Sequence, residues 1–295
     1  MVNPSLARAY AACASLAATH YENFPVASRL LPAPMRPHIA AVYAFARVAD
    51  DIADEGGDPA AVRQARLRAW QRRLHEAVRE ERQADASSRD DLIFVALGHS
   101  IRELDLPVPL FDDLLSAFAQ DTTTHRYDSW TDLFDYCRRS AQPVGRLVLL
   151  IGGYHDAALH QSSDALCTAL QLANFWQDFG RDWRAGRLYV PRETYADAGA
   201  SIADLDAGRF TPEWSDALAR CITRTRECFE RGRLVCDGVR GRLALELRFT
   251  WLGGARILDR VEQLRTRLLL DRPSLGARDV PSILWRAARW ERVAA

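Results

Sequence analysis

Apolar residues recur every three to four positions along nearly the whole chain, and runs that alternate residue by residue, as half-buried strands do, are absent. That period predicts helices over about 5–19, 36–55, 59–82, 89–104 and 109–121, with the second and third of these separated by Gly56-Gly57. Pro25, Pro32, Pro34 and Pro37 confine the stretch before the second helix to loop or short turns. After a polar break from Asp121 to Tyr127 the pattern predicts one long helix over about 130–153, bent at Pro143 and thinned at Gly145. Another follows over about 157–184, then a loop from Gly186 to Pro191 and an irregular tract over 193–210. Helical patterns close the chain at about 211–236, 241–270 and 281–292. The segments 59–82 and 89–104 carry one highly charged face and read as outer helices. No repeat, low-complexity linker or shift of composition marks a boundary, so the reading is a single all-α domain over 1–295, with apolar helices at its centre.

Two helices break the rule that carboxylates face water while aliphatics face the core. In the first, Tyr43, Arg47, Asp50 and Asp54 fall within an arc of roughly 60° on a segment otherwise built of Ile39, Ala40, Ala41, Val42, Phe45, Val48 and Ile52. Carboxylates one turn apart repel unless a cation sits between them, and an oxygen-only set suits Mg²⁺. A solvated acidic helix end explains a lone DDxxD equally well. In the second, Gln171, Asn174, Asp178 and Asp182 keep one face of an aromatic and aliphatic helix, within roughly 80°. Two such stripes point to helices facing a cavity where Mg²⁺ lies between the carboxylates and an anionic ligand such as diphosphate. Phe24, Tyr43, Phe45, Tyr136, Phe175 and Phe179 accompany them. Each on its own reads first as a core residue; as a set they can stabilise a carbocation through their ring faces.

Composition narrows the partners. The 39 basic residues, all arginine, balance 39 acidic ones, so nothing favours a nucleic acid, and any phosphate must be held by arginine forks or metal. The six cysteines form no CxxC pair and no metal spacing with histidine; they read as small core residues of a reduced, cytoplasmic protein. No signal peptide is visible at the N-terminus, and the longest apolar run, 147–153, is too short to span a bilayer.

The blocks as a set resemble the squalene/phytoene synthase family of trans-isoprenyl diphosphate synthases: Tyr43, Arg47 and Asp50-Asp51-Ile52-Ala53-Asp54; Tyr136-Cys137 with Val144-Gly145; Gln171, Asn174, Asp178 and Asp182; and Gly186-Arg187-Leu188-Tyr189-Val190-Pro191. The resemblance covers nearly the whole chain and implies an all-α isoprenoid synthase bundle with a central active-site cavity. It implies metal ligation by Asp50, Asp54, Asn174, Asp178 and Asp182, with Mg²⁺ as cofactor. Catalytic roles fall to Tyr43, Arg47, Tyr136 and Arg187. Substrate contacts fall to Asn23, Phe24, Tyr43, Arg47, Tyr136, Val144, Gly145, Gln171, Asn174 and Phe175. Within the family, His20–Ser28 and Asn174-Phe175-Trp176-Gln177-Asp178 look like the bacterial hydroxysqualene synthase branch of hopanoid and squalene biosynthesis. Glu22-Asn23-Phe24 stands where relatives tend to have Lys-Ser-Phe, and Gln177 where they tend to have arginine.

Both departures remove positive charge, which suits one diphosphate rather than two. The implied reaction takes presqualene diphosphate and water to hydroxysqualene and diphosphate, with substrate handed over by a presqualene diphosphate synthase. One alternative is a head-to-head prenyltransferase, a squalene or phytoene synthase joining two prenyl diphosphates. A remote one is a non-catalytic scaffold of the same fold. Ser282–Trp290 combines tryptophan, aliphatics and arginine, and reads either as a terminal helix docked on the core or as a peripheral membrane contact at the inner face.

Overall fold

The computed structural model describes residues 4–19, 30–54, 57–79 and 88–291. All regular structure among them is helical: α1 (Pro4–Thr19), α2 (Met35–Asp54), α3 (Ala60–Arg79), α4 (Arg89–Glu103), α5 (Val108–Asp121), α6 (Trp130–Ser140), α7 (Gln142–Ile151), α8 (Ala157–Gln177), α9 (Phe179–Arg184), α10 (Arg192–Asp197), α11 (Ile202–Asp206), α12 (Pro212–Arg231), α13 (Val235–Gly238), α14 (Gly241–Leu264) and α15 (Asp279–Ala288). The described residues fall into two compact units, 1–123 with 146–155, and 124–145 with 156–295.

In the first unit α2 packs against α1, α3, α4 and α5. Its buried face, including Ile39, Val42, Phe45, Val48 and Ala49, meets an aromatic group in which Phe45 stacks near Trp70 and lies edge-on to Phe94 and Phe111. Phe45 is therefore a core ring, not part of a cavity wall. Helix α4 is not the outer helix its charges suggest. Leu92, Ile93, Phe94, Ala96, Leu97 and Ile101 are all buried, and its charges sit at its two ends, where Ser88 and Asp91 form a capping box.

A polar cluster joins α1, α2 and α4. The Ser100 hydroxyl donates to Ala96 O at 2.8 Å. The Tyr10 hydroxyl lies 2.9 Å from Ser100 Oγ, 2.9 Å from His99 Nδ1 and 3.3 Å from His38 Nδ1, and His38 Nδ1 is 3.0 Å from Ser100 Oγ. With the serine proton spent on Ala96, the tyrosine proton goes to Ser100, and both imidazoles then donate from Nδ1. Desolvation first, then His99, lowers the pKa of His38, against an opposing pull from Glu103. The folded state thus binds a proton at His38 less readily than the unfolded chain. Stability is whole above the ordinary histidine value of about 6.5 and declines as pH falls through it towards the lower folded value. Thermal unfolding of wild type should show this decline, and His38→Gln should flatten it; an unchanged slope would locate the acid sensitivity elsewhere.

In the second unit α8 is central, packed on α6, α12, α13 and α14. Its buried tryptophan donates to Thr225 Oγ1 at 2.8 Å, and Ser162 both donates to Arg231 O and accepts from the Val235 amide. Gly145 lies against α8 so closely that a Cβ would stand 2.3 Å from Ser163 Oγ and 2.5 Å from Cys167 Sγ. The expected single helix over 130–153 is two helices. The chain leaves helical geometry at Ala141 (φ −121°) because Pro143 has no N–H to continue the ladder and restarts it as α7. The expected helix over 157–184 bends at Asp178 into α9, and the irregular tract 193–210 contains the short helices α10 and α11.

All six thiols are buried. Burial pushes Cys13, Cys167 and Cys236 up to about 12 and raises Cys137, Cys221 and Cys228 as well, as expected for small core residues.

Candidate active site

Each stripe is formed within its own unit. On α2, Tyr43, Arg47 and Asp50 are half-buried and Asp54 is exposed, while the residues between them are mostly core. Asp50, Asp51 and Asp54 occupy the last turn, where the helix dipole is negative, and no basic residue shares that turn. One guanidinium answers from a turn earlier: Arg47 Nη2 pairs with Asp51 at 2.7 Å and Nη1 lies 3.7 Å from Asp50. A second, Arg63 from α3, donates to the carbonyl of Ala53 and caps the helix end. Sequence reasoning put Arg47 on one face with Asp50 and Asp54; the structure adds Asp51 as a partner.

On α8 and α9 the ladder continues through the bend. The Asp178 amide donates to Asn174 O at 2.9 Å and the Asp182 amide to Asp178 O at 2.8 Å, so the three side chains keep one row. Gln171, Asn174 and Asp182 are half-buried and Asp178 is buried at 8 % exposure. Asp178 is held on both oxygens by Arg272, Nε to Oδ1 and Nη2 to Oδ2, a two-point fork that fixes a carboxylate in orientation. The segment carrying Arg272 is seated on the bend. The Gln177 amide donates to Pro273 O at 2.7 Å, Arg184 donates to Leu269 O at 2.9 Å, and a Cβ on Gly180 would stand 2.5 Å from the carbonyl oxygens of both Leu268 and Leu269.

Asp182 is answered from the other side. Arg187 Nε lies 3.5 Å from Asp182 Oδ1, and its amide donates to Asp182 O at 2.8 Å. Gly186, at φ +80°, makes the turn that brings it back. The loop then runs along 125–128, with Leu188 N donating to His125 O and Arg192 N to Tyr127 O. This places Tyr189 flat on Phe175, ring centroids 3.8 Å apart and 5° between planes. Tyr136 lies 6.2 Å from Phe175, 6.5 Å from Tyr189 and 5.6 Å from Tyr127. Four rings thus cluster beside the stripe, with Tyr127, Tyr136 and Phe175 buried and Tyr189 the more exposed of them. Phe179 is not among them; it packs on Phe210 and Trp214 in the core.

Of the residues expected at the site, Tyr136, Gln171, Asn174, Phe175, Asp178, Asp182 and Arg187 gather on α6, α8, α9 and the following loop, and Val144 and Gly145 lie at the start of α7 in the same unit. Tyr43, Arg47, Asp50 and Asp54 gather on α2 in the other. Asn23, Phe24 and the rest of 20–29 lie outside the described residues. Sequence reasoning quoted Asp51 and Tyr189 within their motifs without giving either a role, and did not single out Tyr127 or Arg272 for the site. It also counted a lost charge at position 177, whereas Gln177 here seats the residue next to Arg272, which puts a guanidinium beside Asp178 after all. The donor set, carboxylates and carboxamides, fits a hard divalent ion. No group of three or more histidine, cysteine, aspartate or glutamate side chains converges as a metal site among the described residues.

A family model for squalene/phytoene synthase matches residues 17–279. A hydroxysqualene synthase of Rhodopseudomonas palustris is 36 % identical over 248 residues, covering 83 % of this chain and 80 % of that protein. One of Zymomonas mobilis is 39 % identical over 211 residues, covering 71 % and 68 %. Among solved structures, that of the squalene synthase HpnC from Alicyclobacillus acidocaldarius superposes with a TM-score of 0.81 at 40 % identity, covering 89 % of this chain and 96 % of that one.

Proposed function

The chain belongs to the squalene/phytoene synthase family, and on that footing we propose that it is a hydroxysqualene synthase, exchanging the diphosphate of presqualene diphosphate for water in the synthesis of squalene and hopanoids. The observation that carries the reading is identity of 34–39 % to three hydroxysqualene synthases over 71 % or more of the chain. The reaction breaks the cyclopropylcarbinyl C–O bond of the substrate and releases diphosphate; the cation rearranges with opening of the three-membered ring, and a carbon of the rearranged cation joins a water oxygen, which gives up one proton.

In this proposal the whole chain acts as one catalytic domain. Asp50, Asp54, Asn174, Asp178 and Asp182 would hold Mg²⁺ through their side-chain oxygens, the ligand type a hard divalent ion takes. Bound there, the metal neutralises charge on the leaving group. Arg47 and Arg187 supply forked donors to the departing diphosphate, and Arg272, released from Asp178, supplies a third. Val144, Gly145 and Gln171 contact the substrate in this proposal, and Asn23 and Phe24, which lie outside the described residues, are assigned the same role. Tyr136 and Phe175, with Tyr127 and Tyr189 beyond them, offer ring faces to the cation and keep bulk water from it; Tyr43 and Tyr136 orient the reacting end. The substrate arrives from a presqualene diphosphate synthase, and a reducing, cytoplasmic setting suits the buried thiols.

The test is incubation with presqualene diphosphate and Mg²⁺ without NADPH. A C30 alcohol and free diphosphate are expected, with no product from farnesyl diphosphate alone. A second reading, reductive rearrangement to squalene with hydride from NADPH, is favoured by the Alicyclobacillus relative, which is described as a squalene synthase. Squalene that forms only when NADPH is added would establish that reading and overturn ours.

A further inference from the structure

Helix α15 is clamped from within. Ile283 and Ala287 are buried, and Asp279 accepts from Arg260 at 2.6 Å and from the Gly276 amide at 2.8 Å. Trp290, just beyond the helix, donates to Asp237 at 2.8 Å and lies under the Arg233 guanidinium, 4.1 Å from its ring centre. The helix is therefore fixed on the body of the second unit, and its outer side is on permanent display.

That outer side is apolar. Val280, Pro281, Leu284, Trp285 and Ala288 are exposed and occupy an arc of about 140°. Scattered exposed aliphatics are ordinary, but three of the six exposed large hydrophobic residues among those described, Val280 at 40 %, Leu284 at 36 % and Trp285 at 59 %, fall on this one helix. Its rim is cationic. Arg278, Arg286 and Arg289 are exposed, and Arg289 lies 4.2 Å from the centre of the Trp285 ring. The acid on the same helix, Asp279, already faces Arg260 and Arg256. Glu291, past the helix end, is the one outward acid of residues 278–291. An apolar arc bordered by arginine and tryptophan matches the boundary of a bilayer, where rings and aliphatics enter the acyl region and guanidinium groups stay among phosphates.

We propose that the outer face of α15 is a docking surface for an anionic phospholipid leaflet. No helix among the described residues is long and apolar enough to cross a membrane, so the contact is peripheral. The proposal stands on the surface itself. If the reaction proposed above also holds, the contact brings the site to where a C30 diphosphate and a C30 alcohol both reside.

The experiment is flotation of the full chain with vesicles of phosphatidylcholine alone and of phosphatidylcholine with phosphatidylglycerol. Wild type should float with the anionic vesicles, and less so as salt rises. Trp285→Ala with Leu284→Ser should weaken flotation by on the order of tenfold, and Arg286→Gln with Arg289→Gln should remove the preference for phosphatidylglycerol. All these side chains are exposed, so melting temperature and turnover of detergent-dispersed substrate should stay near wild type. Wild type that fails to float with either vesicle, or variants that float as well as wild type, overturn the proposal. So does a dimer in sedimentation that Trp285→Ala with Leu284→Ser dissolves, since the face would then belong to a second copy. Turnover without vesicle binding would sink this inference and leave the proposed reaction standing.

Discussion

Asp178→Asn is expected to reduce turnover of presqualene diphosphate by on the order of 10²–10³-fold, the scale seen when one electrostatic contact to a developing charge is removed. The substitution keeps the shape of the side chain and changes only what its two outer atoms can do. As carboxylate they accept both arms of Arg272; as carboxamide one of them is a donor pointing at a donor. The same atoms are the ones proposed to bind metal, and an amide is a poorer ligand for a hard cation. Stability should fall too, by an amount between the ~1 kcal/mol of an exposed ion pair and the ~3–5 kcal/mol of breaking a buried one, because Asp178 is buried while Arg272 is half-open to water. Melting curves separate the two roles. Mg²⁺ with inorganic diphosphate should raise the melting temperature of wild type and leave Asp178→Asn where it was. Activity of Asp178→Asn within a few-fold of wild type would remove this carboxylate from the mechanism.

Gly180→Ala should be nearly as damaging, though its methyl group touches no proposed ligand. The added carbon would meet the carbonyl oxygens of Leu268 and Leu269 at 2.5 Å and the Leu269 carbonyl carbon at 2.7 Å. These are backbone atoms and cannot swing aside as the end of a side chain would. Either α9 tilts or the 268–273 segment lifts, and the second outcome carries Arg272 away from Asp178. The expected cost is about 1–3 kcal/mol of stability, typical of overpacking, with turnover reduced at a temperature where the variant is still folded. Gly180→Ala with wild-type melting and wild-type turnover would show that the segment yields freely and that Arg272 does not depend on its seat.

Much of the site was legible because helical spacing is a local code. The rows at 43–54 and 171–182 can be read from the sequence, since residues three and four apart share a face whatever the helix packs against. Asp51 was passed over because it lies off that row; Arg47 reaches it as an i,i+4 neighbour instead. Arg272 was not legible at all. It is 94 positions from Asp178, and no local period says where a loop returns. The same limit explains Gln177, whose effect on charge depends on what its amide seats. Phe45 and Phe179 look alike to Phe175 in sequence, and only packing separates the two core rings from the one stacked on Tyr189. The broken helices at Ala141 and Asp178 were half visible, since Pro143 announces a disturbance without saying whether the chain bends or restarts.

The six closed thiols have a practical consequence. With every native sulfur buried and its pKa raised, none is a thiolate within reach of a maleimide at neutral pH, so a cysteine introduced on the surface would be the sole point of attachment. Ser282, exposed beside Trp285, is such a position. A fluorophore or spin label placed there would report the polarity around α15 directly, in a protein that needs no native cysteine replaced first.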